Sequence, residues 1–340
     1  MLNSSIITWV KNTLGAKEIK FTPIQSGANN LGYRVYTDNA QWFLKLFNSN
    51  SMHSSYKQQN EFLFTQALYQ SGIHNIAKPI AINEKMHASL FSYIDGVGID
   101  RASSENVNAA INFIKSINEC SLLTPLNTAS ESPDTLQGFA DIVASRLHIF
   151  ELQEFGQEKL NVDFLQTLSV VRERLKKIQS QLPVHWRHTL ERNIVSPSDF
   201  GFHNALFCEP EYYFIDFEYA GIDTPWKTFS DFFAQPSIPV DIKYAKALLS
   251  LNIFRPLLIS PNDTLKVFEL TLLKWCLIML NEFLPEVQVR RVFSWNISCL
   301  NEQREKLLHT QEAQLIKCNK YLFNIPSKVE ELQKVLRENI

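Results

Sequence analysis

The order of apolar and polar positions divides the chain into a β-rich beginning and a helical remainder. Ile6, Val10 and Leu14 recur at helical spacing behind Ser4 and Ser5, either of which can cap the helix, and Gly15 ends it. Residues 31–37 and 41–47 change to aromatic and β-branched types on either side of Asp38-Asn39, which predicts an antiparallel hairpin. A small-residue loop over 26–32 feeds that hairpin. A helix over about 55–70 follows, then short strands at 80–82 and 88–93. Beyond Gly96 and Gly98 helical spacing dominates, with helices over about 107–119, 137–155 and 163–181 and several more from 242 onward. The one clear β signal here is the pair 205–207 and 212–218 around Glu209-Pro210-Glu211. The Ser/Thr/Pro-rich stretch 124–135 predicts a mobile surface loop. The pattern as a whole predicts an α+β chain of two lobes, a small β-rich one over 1–95 and a larger, mainly helical one over 96–340.

Charges in apolar surroundings stand out against this pattern. In Phe43-Leu44-Lys45-Leu46-Phe47 the period of two puts Lys45 on the face of Phe43 and Phe47. On the following helix Glu61 shares a stripe with Phe64 and Leu68. Either charge buried alone costs about 3–5 kcal/mol, so the two are expected to pair. Asp216 lies within Phe214-Ile215-Asp216-Phe217, where a carboxylate needs a partner or a metal. A turn at 209–211 places Asn204 across the hairpin from Asp216. Two oxygen donors of this kind, completed by waters and phosphate oxygens, suit Mg²⁺. Asp199 lies five residues before Asn204 and can accept a proton from an attacking hydroxyl. In the 26–32 loop Gly27 and Gly32 allow backbone N–H groups to approach phosphates, although the loop matches neither GxGxxG nor a Walker P-loop.

Composition narrows the partners. With 45% hydrophobic residues, 340 positions suffice for two cores beside a cleft. The balance of 33 Lys+Arg against 35 Asp+Glu leaves a formal charge of −2, with no field to draw nucleic acid or an anionic membrane. Small molecules are the expected partners. The most apolar stretch, 270–280, is interrupted by Lys274 and falls short of the roughly 20 residues a membrane span needs. It reads as a buried helix, without membrane insertion. Five cysteines without a CxxC pair, behind a beginning that lacks a secretory pattern, predict free thiols in the cytoplasm. No Ser or Cys nucleophile with an obvious base supports acyl transfer.

The order of these features over residues 21–233 resembles the aminoglycoside phosphotransferase and choline kinase group, distant relatives of protein kinases. The carriers are Pro197-Ser198-Asp199, Asn204 and Ile215-Asp216-Phe217-Glu218, spaced as in the group's catalytic loop and metal motif. The resemblance implies a two-lobed protein-kinase-like fold that uses ATP and Mg²⁺ to phosphorylate a small-molecule hydroxyl. It makes Asp199 the base, Asn204 and Asp216 the metal ligands, Lys45 the phosphate-orienting lysine and Glu61 its partner. Ser26, Gly27 and Asn30 would cover the phosphates, and Ser92, Tyr93 and Ile94 would form the hinge beside adenine. His and Gly of the usual loop are Pro197 and Ser198 here, and Asp223-Thr224-Pro225-Trp226 matches the group's Asp-Pro pattern only loosely. Asp231 is retained as an expected brace of the catalytic loop. A nucleotide-binding scaffold or a nucleotidyl transferase would use the same residues. For the acceptor, the aromatic and mildly polar helices after the metal motif point to Trp226, Trp275 and Glu282, with a pocket between the catalytic loop and 267–283. Rings there suit a sugar or an amino-alcohol.

Overall fold

A computed structural model describes residues 2–24, 30–38, 40–48, 54–295 and 297–338. The first helix, α1 (Ser4–Leu14), is capped by Asn3, not by a serine: Asn3 Oδ1 accepts the Ser5 N–H at 2.9 Å. Gly15, at φ 62°, ends it. Strands β1 (Lys20–Ile24), β2 (Leu31–Tyr36), β3 (Gln41–Leu46), β4 (Pro79–Asn83) and β5 (Ala88–Ser92) form an antiparallel sheet in the order β1-β2-β3-β5-β4. The pattern did not announce β1. Its Pro23 lacks an N–H, which an edge strand tolerates. Val35, Leu44, Leu46 and Leu90 pack with Val10 of α1 into a small core. Alternation along β3 therefore turns Phe43 and Lys45 to the other face.

Between β3 and β4 runs α2 (Ser54–Gln70), whose Phe64 and Leu68 belong to the larger core of the helical half. Phe64 meets Phe217 with ring centroids 5.2 Å apart. The helix thus joins the sheet to the segment that holds Phe217.

The remaining strands are short and hold the segment over 197–216. They are β6 (Val97–Gly98), β7 (Ile194–Ser196), β8 (Ala205–Cys208), β9 (Glu211–Phe214) and β10 (Gly221–Asp223), with β6 on the β8–β9 hairpin and β7 on β10. Close approach of backbone crowds the glycines beside these strands. A Cβ on Gly96 would lie 3.0 Å from Phe207 O, and one on Gly221 would lie 2.3 Å from Asn127 O. The stretch over 124–135 is docked, contrary to its composition. Ala129 N–H donates to Ile222 O, Ile222 N–H to Asn127 O and Ser130 N–H to Tyr219 O, all at 2.8–2.9 Å.

Helices α3 (Ser104–Glu119), α4 (Leu136–Glu151) and α5 (Lys159–Gln179) precede the catalytic strands. After them come α6 (Pro225–Ala234), α7 (Ala245–Leu249), α8 (Arg255–Ile259), α9 (Pro261–Leu280), α10 (Pro285–Trp295), α11 (Leu300–Phe323) and α12 (Ile325–Arg337). The buried helix expected over 270–280 is the second half of α9, where Leu270, Leu273, Leu277 and Leu280 are fully enclosed. Neighbours α4, α6, α11 and α12 surround it. All five cysteines are free thiols. No helix among the described residues is long and apolar enough to cross a membrane.

Candidate active site

A cleft of about 430 Å³ opens between the sheet and the catalytic hairpin, and Phe43, Lys45, Glu61, Phe91, His203, Asn204 and Asp216 are among its lining residues. Strand alternation delivers Lys45 to it. The ammonium lies 2.7 Å from Glu61 Oε2, 2.6 Å from Asp216 Oδ1 and 4.0 Å from Glu218 Oε2. Burial alone would lower the Lys45 pKa, but Asp216, Glu61 and Glu218 override it and hold the group charged far above its ordinary range. For Glu61 burial wins over Lys45 and, helped by the Asp216 and Glu218 charges, pushes the carboxyl up.

The loop over 197–204 is anchored by aromatic rings. Phe200 and Phe202 are buried, and Phe200 packs on Phe113, Phe214 and Phe232. Asp199 and His203 beside these anchors are half-buried, and His203 Nε2 lies 3.3 Å from Asp199 Oδ1. Asn204 Nδ2 donates to Asp199 O at 2.9 Å, which fixes the orientation of the amide and turns its oxygen, an acceptor, away from that bond. The hairpin register differs by one from the sequence expectation. Ala205 opposes Phe214, so Asn204 faces Ile215, whose N–H donates to Asn204 O at 3.0 Å. Asp216 nonetheless reaches the same cleft, because a left-handed φ of 66° turns the chain out of the strand direction.

Magnesium can be tested against this donor set. Among the described residues no three His, Cys, Asp or Glu side chains converge as a self-sufficient metal cage. The Asn204 amide oxygen and the Asp216 carboxylate are two hard oxygen donors on one cleft, which fits an ion that completes its shell with phosphate oxygens and water.

Other expected residues fall as follows. Ser92, Tyr93 and Ile94 line the cleft. Ser92 exchanges hydrogen bonds with Lys78 at 2.8 Å, through its N–H and its Oγ, and Tyr93 N–H donates to Gln41 O at 3.3 Å. Asn30 also lines the cleft and donates from Nδ2 to Glu218 Oε2 at 3.2 Å. Ser26 and Gly27 lie outside the described residues. The three acceptor candidates are not brought to the cleft. Trp226 is 6% exposed within α6, a helix buried along its whole length. Trp275 packs against the core of the helical half, and its neighbour Lys274 is held by Asp231 Oδ1 at 2.5 Å. Glu282 is buried and accepts from Arg291 Nε at 2.9 Å on both carboxylate oxygens, so its charge is already matched.

Three residues assigned no role by the sequence stand close to this machinery. Glu218 is 4% exposed and accepts from Asn30 and, at 3.5 Å, from Lys57. Lys57, one helical turn before Glu61, also donates to Tyr219 Oη at 2.5 Å and sits 4.4 Å from the centre of that ring. Burial, and after it Glu218, Asp199 and Asp216, push the Tyr219 hydroxyl up, so it remains protonated. Spacing from Glu61 could have signalled Lys57. Nothing in the sequence pattern signals Tyr219.

The model of the phosphotransferase enzyme family matches residues 20–249, which include every residue described at this cleft. The chain belongs to that family. No curated protein matches it by sequence. Its fold is shared with spectinomycin phosphotransferase APH(9)-Ia, solved with ADP and spectinomycin, at TM-score 0.57 and 13% identity over 94% of this chain and 98% of that one. An ethanolamine kinase of Plasmodium vivax aligns at TM-score 0.55 and 13% identity, over 89% and 91%. The phosphotransferase of the gentamicin–APH(2")-IIa complex aligns at TM-score 0.54 and 13% identity, over 93% and 96%. This family member is thus built as small-molecule kinases are, with a small antiparallel sheet set against a larger helical part.

Proposed function

We propose that this phosphotransferase moves the γ-phosphoryl group of ATP to a hydroxyl of a small molecule, of the sugar, amino-alcohol or aminoglycoside-like class. The observation that carries the reading is the convergence of Lys45, Glu61 and Asp216 in one cleft with Asn204, whose amide holds the backbone of Asp199. In this reading the hinge residues Ser92, Tyr93 and Ile94 receive adenine, and Lys45, aimed by Glu61, binds phosphate oxygens. Asp199 holds the acceptor hydroxyl in line and takes its proton as the new O–P bond forms and the β–γ bridging P–O bond breaks, releasing ADP. Mg²⁺, held by Asn204 and Asp216, would supply charge neutralisation for the phosphates. The acceptor approaches Asp199 from the helical half, since the sheet side is taken by the nucleotide.

Asp199→Asn tests this directly. Nucleotide affinity should stay within about threefold of wild type while ADP formation falls roughly 10²-fold or more, the usual loss on removing a general base. Undiminished turnover would remove Asp199 from the role. Release of AMP or pyrophosphate in place of ADP would identify nucleotidyl transfer, and metal-dependent binding without any turnover would identify a scaffold.

A further inference from the structure

Ser198, immediately before Asp199, has φ 64°, a left-handed conformation that glycine adopts freely and serine adopts only against steric resistance. It is buried, and its hydroxyl accepts a hydrogen bond from Lys227 Nζ at 2.6 Å. Lys227 belongs to α6 and is itself 3% exposed. Besides Ser198 it meets Asp223 Oδ2 at 3.0 Å and Asp231 Oδ2 at 3.3 Å, so the three N–H groups of the ammonium have three acceptors. Both carboxylates are fixed from elsewhere. Asp223 Oδ1 accepts from Ser132 Oγ at 2.6 Å and from the Thr224 N–H at 2.8 Å. Asp231 Oδ1 accepts from Lys274 of α9 at 2.5 Å. Lys227 is therefore the tip of a rigid polar platform, drawn from β10, α6, α9 and the docked 127–132 segment, that presses on one side chain of the catalytic loop.

The backbone on either side is tied locally. Ser198 N–H donates to Ser196 Oγ at 3.1 Å, and Phe200 N–H donates to Ser198 O at 2.7 Å. These bonds close the turn around Asp199; Phe200 packs it on the core rings, and the Lys227 bond is a polar tie from Ser198 to the helical core. We propose that Lys227 is a positioning residue for phosphoryl transfer, holding Ser198 in its left-handed conformation so that Asp199 faces the acceptor. The inference rests on the reading of Asp199 as the base, and it gives Asp231 a defined way to brace the loop, through Lys227 and not by direct contact. The competing account is that Lys227 only neutralises Asp223 and Asp231.

Ser198→Ala separates the two, because it removes the hydroxyl and leaves the ion cluster intact. With Mg·ATP and water as the probe acceptor, kcat for ADP release should fall about tenfold or more, while KM for ATP stays within about twofold, the signature of a displaced catalytic group. Ser198→Gly should lie between alanine and wild type, since glycine enters the left-handed region without the hydroxyl's help. Lys227→Met, if it folds, should lose kcat, and adding Ser198→Ala to it should cost little more, since the same hydrogen bond is already absent. Hydrogen–deuterium exchange of peptides spanning 197–204 should quicken in Ser198→Ala. This readout needs no turnover, so an inactive wild type would count against the proposed function while exchange still decides the positioning. Wild-type kcat and wild-type exchange in Ser198→Ala, or equal kcat in the alanine and glycine variants, would overturn the proposal.

Discussion

Lys45 Nζ lies 2.6 Å from Asp216 Oδ1, tying the third strand of the sheet to the loop after the catalytic hairpin across 171 positions of sequence. Glu61 and Glu218 stand on the same ammonium and Lys57 meets Glu218 at 3.5 Å, so three carboxylates face two cations. A triphosphate entering this cleft meets an excess of negative charge. Nucleotide affinity is therefore expected to depend on a divalent ion. Titration calorimetry should give an ATP affinity at least about tenfold higher in Mg²⁺ than in excess EDTA, equivalent to roughly 1.4 kcal/mol of relieved repulsion. Asp216→Ala should flatten that difference. Equal affinity in both buffers for the wild type would take Asn204 and Asp216 out of the metal role.

The 2.7 Å contact between Lys45 and Glu61 is nearly dry, with side chains 6% and 7% exposed. Lys45→Met and Glu61→Gln are each expected to lower kcat/KM for ATP by roughly 10- to 100-fold, and the double variant should lose less than the two losses combined. The coupling should be about 1–3 kcal/mol, as for other residues in direct contact. Additive losses would mean that Glu61 does not act through Lys45.

The pairing of Lys45 with Glu61 was legible because each charge lies on an apolar stripe whose period is set by its own element, β3 or α2. The hairpin was legible to within one residue, since turn chemistry locates a reversal better than it locates register. What escaped depends on how distant elements pack. Lys227 reaches Ser198 only because α6 lies beneath the catalytic loop, and no local period records that approach. The pairing of Glu282 escapes the pattern because its partner Arg291 is nine positions on, in α10, outside the reach of any i+3 or i+4 rule. The proline of β1 hides that strand from the pattern, and the 124–135 stretch reads as a mobile loop because composition carries no trace of its backbone bonds to β10.

The Arg291–Glu282 pair makes a prediction opposite to that for a substrate carboxylate. Glu282→Ala removes a buried charge whose partner is 20% exposed, so it should lower stability by on the order of 3 kcal/mol. Turnover with Mg·ATP, measured well below the lowered Tm, should remain near wild type. A variant with unchanged Tm and impaired turnover would return Glu282 to the acceptor site.

The last expectation is a pH dependence set by Asp231. Burial raises its pKa, but Lys274 and Lys227 outweigh burial and hold the carboxyl below its ordinary value of 3.8. The unfolded chain then binds the proton more readily than the folded one. Asp231 thus contributes stability that is fully present above about pH 3.8 and is lost as pH falls through the depressed folded value. Lys227 has the reverse sign. Burial lowers it, yet Asp223 and Asp231 raise it well above 10.5, so its contribution persists below that pH and is lost only in strong alkali. Urea denaturation of wild type and Asp231→Asn should therefore show a constant gap of about 3–5 kcal/mol from neutrality down to the ordinary carboxylate range, the cost of breaking a buried ion pair. Below pH 3.8 the gap should narrow, because protonation removes from the wild type the charge the variant already lacks. A gap that stays constant through the acid limb would show that Asp231 is not held as a buried anion by Lys227 and Lys274.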